Sequence, residues 1–281
     1  MATPLTADRL VAALRAEGVH VVEHAGWRTH NRNSVGAWGG VNGVLIHHTA
    51  GSNSLGTVWS GRPDLPGPLA HTHLAKDGAA TMVGNGRANH ADLVAVNAFT
   101  AVVDESATHP RPDANSGTVD GNRYLYGVEI ENLGTGQDPY PDVQYQAAVR
   151  WAAAICRTHG WSANSVVGHK ETSVEGKVDP SFDMVVFRAD VAERLAHPAS
   201  WTPPTEEDMQ LNDQVQLGDW VPAHWPKDAG LADKRIAVNT AIGSGYAHAR
   251  KAAENSDALL AEVQGLRKAV EALTAVLTEE S

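Results

Sequence analysis

A single cysteine, Cys156, stands among 281 residues, so no internal disulfide can form and stability cannot depend on an oxidising compartment. Set in an apolar helical pattern, Cys156 is expected to pack as a small hydrophobe. Long hydrophobic runs are also missing, and none approaches the ~20 apolar residues of a membrane span. The N-terminal stretch Thr3-Pro4-Leu5-Thr6-Ala7-Asp8-Arg9-Leu10 has no signal-peptide core. We therefore expect a chain made in the cytoplasm that needs outside help to cross a membrane. Positive charge is scarce as well. Lys and Arg number 22 against 33 Asp and Glu, a formal charge of −11 that excludes a nucleic-acid partner, because gripping a phosphate backbone needs clustered cations. What is there suffices for a core: 42% of residues are hydrophobic, and the length fits one large domain or a domain with an appendage.

Two modules are legible. The Pro-rich, apolar-poor stretch 197–208, His197-Pro198-Ala199-Ser200-Trp201-Thr202-Pro203-Pro204-Thr205-Glu206-Glu207-Asp208, reads as an extended linker between a catalytic domain at 1–196 and a mainly helical module at 209–281. In the first module Leu10, Val11 and Leu14 mark an opening amphipathic helix. The run Val41 to Ile46 predicts a buried strand ending at His47-His48. Asp77-Gly78 predicts a hairpin between 71–75 and 80–83. From Tyr124 to Asn132 the pattern alternates, with Tyr126, Val128 and Ile130 on one face and Glu129 and Glu131 on the other. Tyr145 to Cys156 has helical spacing closed by Gly160, Val166-Val167 is a second short strand, and Ser181 can cap a last helix bearing Met184, Phe187, Val191 and Leu195. The polar segment 104–121 reads as a long loop. Strands interleaved with helices make this an α/β domain.

The tail carries a heptad pattern, Leu259, Val263, Leu266, Val270, Leu273 and Leu277, with β-branched residues alternating with Leu as in a parallel dimer seam. The alternatives are a homo-oligomer through this helix or a helix hairpin folding back on 236–246. Met209 could start a second, tail-only polypeptide.

Fourteen histidines are present, and two of them stand where an apolar strand runs out. His47 ends Val44-Leu45-Ile46, and His169 follows Val166-Val167-Gly168; ten residues on comes Asp179, before Pro180, which biases it towards extended backbone. Ligands at strand ends are rigid and face a cleft. Two imidazoles and a carboxylate are a common catalytic zinc set with the fourth position left for water. Two strand-end histidines and an ordinary Asp-Pro turn would account for the same residues.

The segments Ile46-His47-His48-Thr49-Ala50-Gly51 and Gly168-His169-Lys170-Glu171 with Gly176-Lys177-Val178-Asp179-Pro180 resemble the N-acetylmuramoyl-L-alanine amidase type 2 family. Two further blocks match in order: His71-Thr72-His73-Leu74-Ala75-Lys76-Asp77-Gly78 and Tyr126-Gly127-Val128-Glu129-Ile130-Glu131. The resemblance implies a central mixed β-sheet flanked by helices, the fold shared with peptidoglycan recognition proteins. It implies Zn²⁺ held by His47, His169 and Asp179, with His48 as a neighbour. Zinc would lower the pKa of its water and polarise the lactyl–alanine amide of peptidoglycan. The resemblance also implies Glu129 as general base and Lys177 as oxyanion stabiliser, with His71 and His90 as substrate contacts or packing residues. Many members carry a catalytic Tyr where this chain has Ala70, which places more weight on Glu129. The two-part organisation fits a phage endolysin released to the wall by a holin, and the Ala- and Gly-rich composition points to an actinobacterial host. The competing readings are a recognition module that binds peptidoglycan without cutting it and an intracellular muropeptide-recycling amidase.

Overall fold

The computed structural model describes residues 2–202 and, beyond them, only two antiparallel strands, Gln214–Gln216 and Arg235–Ala237. The chain divides into two units, Met1–Trp201 and Thr202–Ser281. The heptad residues and Met209 lie outside the described residues. In the tail, the part that is described is strand rather than helix.

In chain order the first unit contains α1 (Ala7–Ala16), β1 (Val21–Glu23), β2 (Gly43–His48), α2 (Leu55–Ser60), β3 (Gly61–Arg62), β4 (Leu65–Pro66), β5 (Thr72–Leu74) and β6 (Ala80–Met82). Then come β7 (Leu93–Ala95), α3 (Val96–Val103), β8 (Gly117–Asp120), α4 (Gly121–Tyr124), β9 (Leu125–Ile130), α5 (Asp142–His159), β10 (Val166–Gly168) and α6 (Met184–Ala196). Six strands form one mixed sheet in the order β1-β6-β5-β9-β2-β10. β5, β9, β2 and β10 run parallel, and β6 is antiparallel to β5 across the Asp77-Gly78 turn, where Gly78 takes a φ of 83°.

Alternation along the strands decides what each sheet face does. Val44, Ile46, Tyr126, Val128, Ile130 and Leu74 point into the main core. There they meet the alanine-rich face of α5 and the apolar stripes of α1 and α6. Alanines let α5 lie close to the sheet, and Trp151 Nε1 donates to Thr72 Oγ1 at 2.9 Å. Cys156 is buried in this layer, and burial pushes its thiol pKa up. On the other face Leu45, Leu125 and Val167 pack with Val94 and Val102 in a smaller cluster. Above it, at the carboxyl ends of the parallel strands, stand His47, Glu129 and His73 in register.

Two expectations are corrected. The last helix is capped by Asp183, whose Oδ1 accepts from Val185 N at 2.7 Å, while Ser181 turns to Tyr140 and His48. The segment 104–121 is not all loop: its end forms β8, which pairs with β7, and Gly117 lacks the Cβ that would meet Val174 Cγ2 at 2.6 Å. Its polar residues misled because a two-stranded ribbon outside the main sheet needs little apolar content.

Residues just after α6 return to the domain. The His197 ring stacks on Trp201 at 4.1 Å, and Arg194 Nη2 donates to Ala199 O and Glu17 O. Glu17 is buried and accepts from Arg157 Nε at 3.0 Å, and the Arg194 guanidinium forms an ion pair with it, Nε lying 2.8 Å from Oε1. Removing one partner of a buried ion pair leaves charge uncompensated. Glu17→Gln is therefore expected to lower the unfolding free energy by about 3 kcal/mol in urea titration. A loss below about 0.5 kcal/mol, the size typical of an unremarkable surface change, would contradict this role.

Candidate metal centre and active site

His47 meets two side chains more than 120 residues further along, His169 and Asp179, at the carboxyl ends of β2 and β10. His47 Nδ1 lies 3.1 Å from His169 Nδ1 and 3.3 Å from Asp179 Oδ2, and His169 Nδ1 lies 3.2 Å from the same oxygen. All three residues are buried, and they are the one metal-competent His/Cys/Asp/Glu cluster among the described residues. The spacing fits a shared cation. Ligands about 2.0–2.1 Å from a tetrahedral zinc stand about 3.3–3.4 Å apart.

Local structure explains why the three converge. His47 and Glu129 are direct partners across β2 and β9, so both side chains leave the same sheet face. His169 opens a 3-10 turn pinned from behind: Glu171 Oε2 accepts from Gly168 N at 2.9 Å, and Arg188 grips Glu171 with two bonds of 2.7 and 2.9 Å. Asp179 returns because Lys170 N donates to Asp179 O at 2.8 Å. Gly168 makes room for that return, since a Cβ there would meet Pro180 Cδ at 2.9 Å.

Burial, reinforced by the neighbouring His169, lowers the His47 pKa to about 4, so the ring is neutral at pH 7. Burial alone would raise the Asp179 pKa, but hydrogen bonding to His169 and His47 outweighs it and holds the carboxyl well below its usual range. Glu129 goes the other way. Burial, then the charge of Asp179, pushes it well above the ordinary carboxyl range, and its Oε2 is buried with no hydrogen-bond partner in the structure. An exposed strand Glu would show neither property. Perturbed, unpartnered carboxyls of this kind concentrate at functional sites.

A model of the N-acetylmuramoyl-L-alanine amidase family matches residues 37–182, slightly over half of the chain, and the matched segment contains every residue of this cluster. The chain belongs to the N-acetylmuramoyl-L-alanine amidase family. Among curated proteins, none matches the sequence. Similar solved structures include the endolysin amidase LysCS from Clostridium intestinale, at 16% identity and TM-score 0.41 over 61% of this chain and 94% of that one. AmiD from E. coli, solved with anhydro-N-acetylmuramic acid-L-Ala-D-γ-Glu-L-Lys, is 20% identical at TM-score 0.39 over 55% and 58%. The family assignment rests on the sequence match.

Within this amidase domain the other candidate residues sort by their contacts. His48, next to His47, points away: its Nδ1 lies 2.8 Å from Tyr140 Oη and 3.4 Å from Ser181 Oγ. His71 has no ring atom left for a substrate, because Nδ1 accepts from Gly127 N at 2.9 Å and Nε2 donates to Gly86 O at 2.9 Å. It is a packing residue. His90 is buried against His47 rather than open to a groove, with its Nδ1 3.1 Å from His47 Nε2. Lys177 sits on an exposed loop paired with Glu175 at 3.2 Å, its side chain 39% accessible. Sequence reasoning missed the Glu171–Arg188 brace and the pairing of His90 with His47, since neither has a spacing signature. If the cluster holds zinc, His48→Ala is expected to keep it through desalting while His169→Ala loses it. Elemental analysis showing the reverse would mean that the wrong histidine of the pair faces the metal.

Proposed function

We propose that this chain is a zinc-dependent N-acetylmuramoyl-L-alanine amidase that hydrolyses the lactyl–L-alanine amide of bacterial peptidoglycan. The observation that carries the reading is the convergence of His47 Nδ1, His169 Nδ1 and Asp179 Oδ2 beside a half-buried Glu129 whose Oε2 is enclosed and unpartnered. These three residues would hold the metal. When bound, zinc supplies Lewis acidity to an amide carbonyl and makes water a nucleophile near neutral pH.

The chain's own residues do the rest. Glu129, ionised, takes the proton from the attacking water at its carboxylate and passes it to the departing alanine nitrogen. Its raised pKa suits both halves of that task, since a group that only accepts cannot later donate. Lys177 is the nearest cation in sequence to Asp179, and its exposed pair with Glu175 holds it only weakly, by roughly 0–1 kcal/mol. We assign it to the developing oxyanion, reached by leaving Glu175 when substrate fills the cleft. The retained ligand set favours a cutting enzyme over a binding module, because a module that only holds peptidoglycan needs neither a metal set nor a buried acid–base group.

We further infer a two-part lysin of the phage endolysin kind, with residues 1–196 as catalytic head, 197–208 as linker and 209–281 as a tail for wall targeting or self-association. Light scattering of the full chain separates the two tail roles: a monomer leaves wall binding.

Mass spectrometry of peptidoglycan digested by the purified protein tests the activity. The expected products are intact glycan and stem peptides with free N-terminal alanine, formed only with zinc present. Cleavage in the glycan, or full activity in metal-free protein, would overturn the reading. Glu129→Gln is expected to keep zinc and fold while losing roughly 10²–10⁴ in kcat. In the wild type the acid limb of the rate profile should lie above the pH of an ordinary Glu. Loss of the ionised form as pH falls through the raised pKa produces that limb, and Glu129→Gln should remove it.

A further inference from the structure

We propose that His73 is a positioning residue that holds the side chain of Glu129 in place, and that Ser54 and Glu131 in turn hold His73. The inference rests on the acid–base role given to Glu129 above. His73 is the direct partner of Glu129 across β5 and β9, as His47 is across β2 and β9, so the three side chains leave one sheet face in a row. Glu129 needs such a neighbour. Its Oε2 is enclosed but has no hydrogen-bond partner, so packing has to fix where the carboxyl points. A flanking imidazole can do that only if it is itself fixed. His73 Nε2 lies 3.0 Å from Ser54 Oγ and 3.5 Å from Glu131 Oε2, and Ser54 N donates to the same carboxylate oxygen at 3.4 Å. Imidazole, hydroxyl and carboxyl thus close a triangle, with His73 and Ser54 both buried.

Two features set this triangle apart from ordinary packing. His73 Nδ1 is buried without a hydrogen-bond partner, which an apolar residue in the same space would avoid. What the other nitrogen holds explains why a polar ring stands there. Ser54 directly precedes α2, where a serine commonly caps the helix, yet its side chain makes no cap bond and meets His73 instead. The segment that carries Ser54 is itself tied down. It continues β2 beyond His47-His48 and is bonded to the end of β9, with Thr49 N donating to Ile130 O and Gly51 N to Asn132 O, each at 3.0 Å. Ala50 and Asn53 take φ of 49° and 50°, left-handed values that a non-glycine residue keeps where its surroundings impose them. Ser54 is therefore delivered to His73 by a fixed run of chain, and the order of that run passes through the imidazole to Glu129.

The test reads order and rate separately. Crystals of the full chain are expected to show Glu129 in one rotamer, and crystals of His73→Leu and Ser54→Ala to show it in two or more. Several rotamers in the wild type, or one unmoved rotamer in both variants, would overturn the proposal. In turnover of a soluble muropeptide both variants are expected to lose roughly 10–10²-fold in kcat, since a misplacement of about 1 Å can cost 10²-fold. KM and zinc affinity should not change. His73→Gln, whose amide nitrogen reaches the place of Nε2, should recover most of the loss, and a loss equal to that of His73→Leu would refute a role for the bond to Ser54. In a Glu129→Gln background Ser54→Ala should cost nothing further, because the group being positioned is gone. The same fold-loss in that background would show a merely structural role. Ser54→Ala carries the test alone if His73→Leu fails to fold. A Glu129→Gln enzyme as fast as wild type would sink the acid–base reading itself, with the rotamer result still standing.

Discussion

The site depends on one constraint, the parallel register that sets β2 between β9 and β10. Because His47 pairs with Glu129 and the strand after Val167 runs out opposite it, an imidazole, a carboxyl and a second imidazole stand side by side at the sheet's carboxyl edge. A slip of one residue in β2 would turn His47 into the α5 core and bring Ile46 to the site. The large apolar side chains on the opposite face, Ile46, Val128 and Ile130, thereby hold the chemistry in place. Ligands usually bind beyond the carboxyl ends of parallel strands, and that is where His47, Glu129 and His169 stand.

Charge is distributed so that a cation is wanted. Asp179 is held ionised at 8% exposure between two histidines, at least one of which burial keeps neutral. A lone buried carboxylate is costly unless it is paired or coordinates a metal. Glu129, a strand away, cannot share that charge and is pushed towards its protonated form. The two carboxyls have diverged in pKa because one has hydrogen-bond donors and the other has none. That divergence suits the separate roles proposed for them, Asp179 as metal ligand and Glu129 as acid–base group.

Much of this was legible in the sequence, for identifiable reasons. Strand ends at His47-His48 and Gly168-His169 were visible because apolar runs stop abruptly there. Alternation placed Glu129 on the face opposite Tyr126, Val128 and Ile130. What stayed hidden depends on contacts between residues far apart. His71 and His90 read alike as sequence, yet one is locked between backbone groups of Gly86 and Gly127 and the other touches His47. Ser181 was the cap expected by residue type, but the helix begins after Asp183, whose Oδ1 accepts from Val185 N, while Ser181 N donates to Tyr140 Oη. Lys177 has no local pattern that says where its side chain rests.

The central claim is that His47, His169 and Asp179 form one zinc site. Zinc K-edge X-ray absorption on the reconstituted full chain tests it most directly. The account predicts nitrogen and oxygen neighbours at about 2.0–2.2 Å with the multiple-scattering signature of imidazole. A sulfur neighbour at about 2.3 Å, or a shell of water oxygens without imidazole, would contradict it.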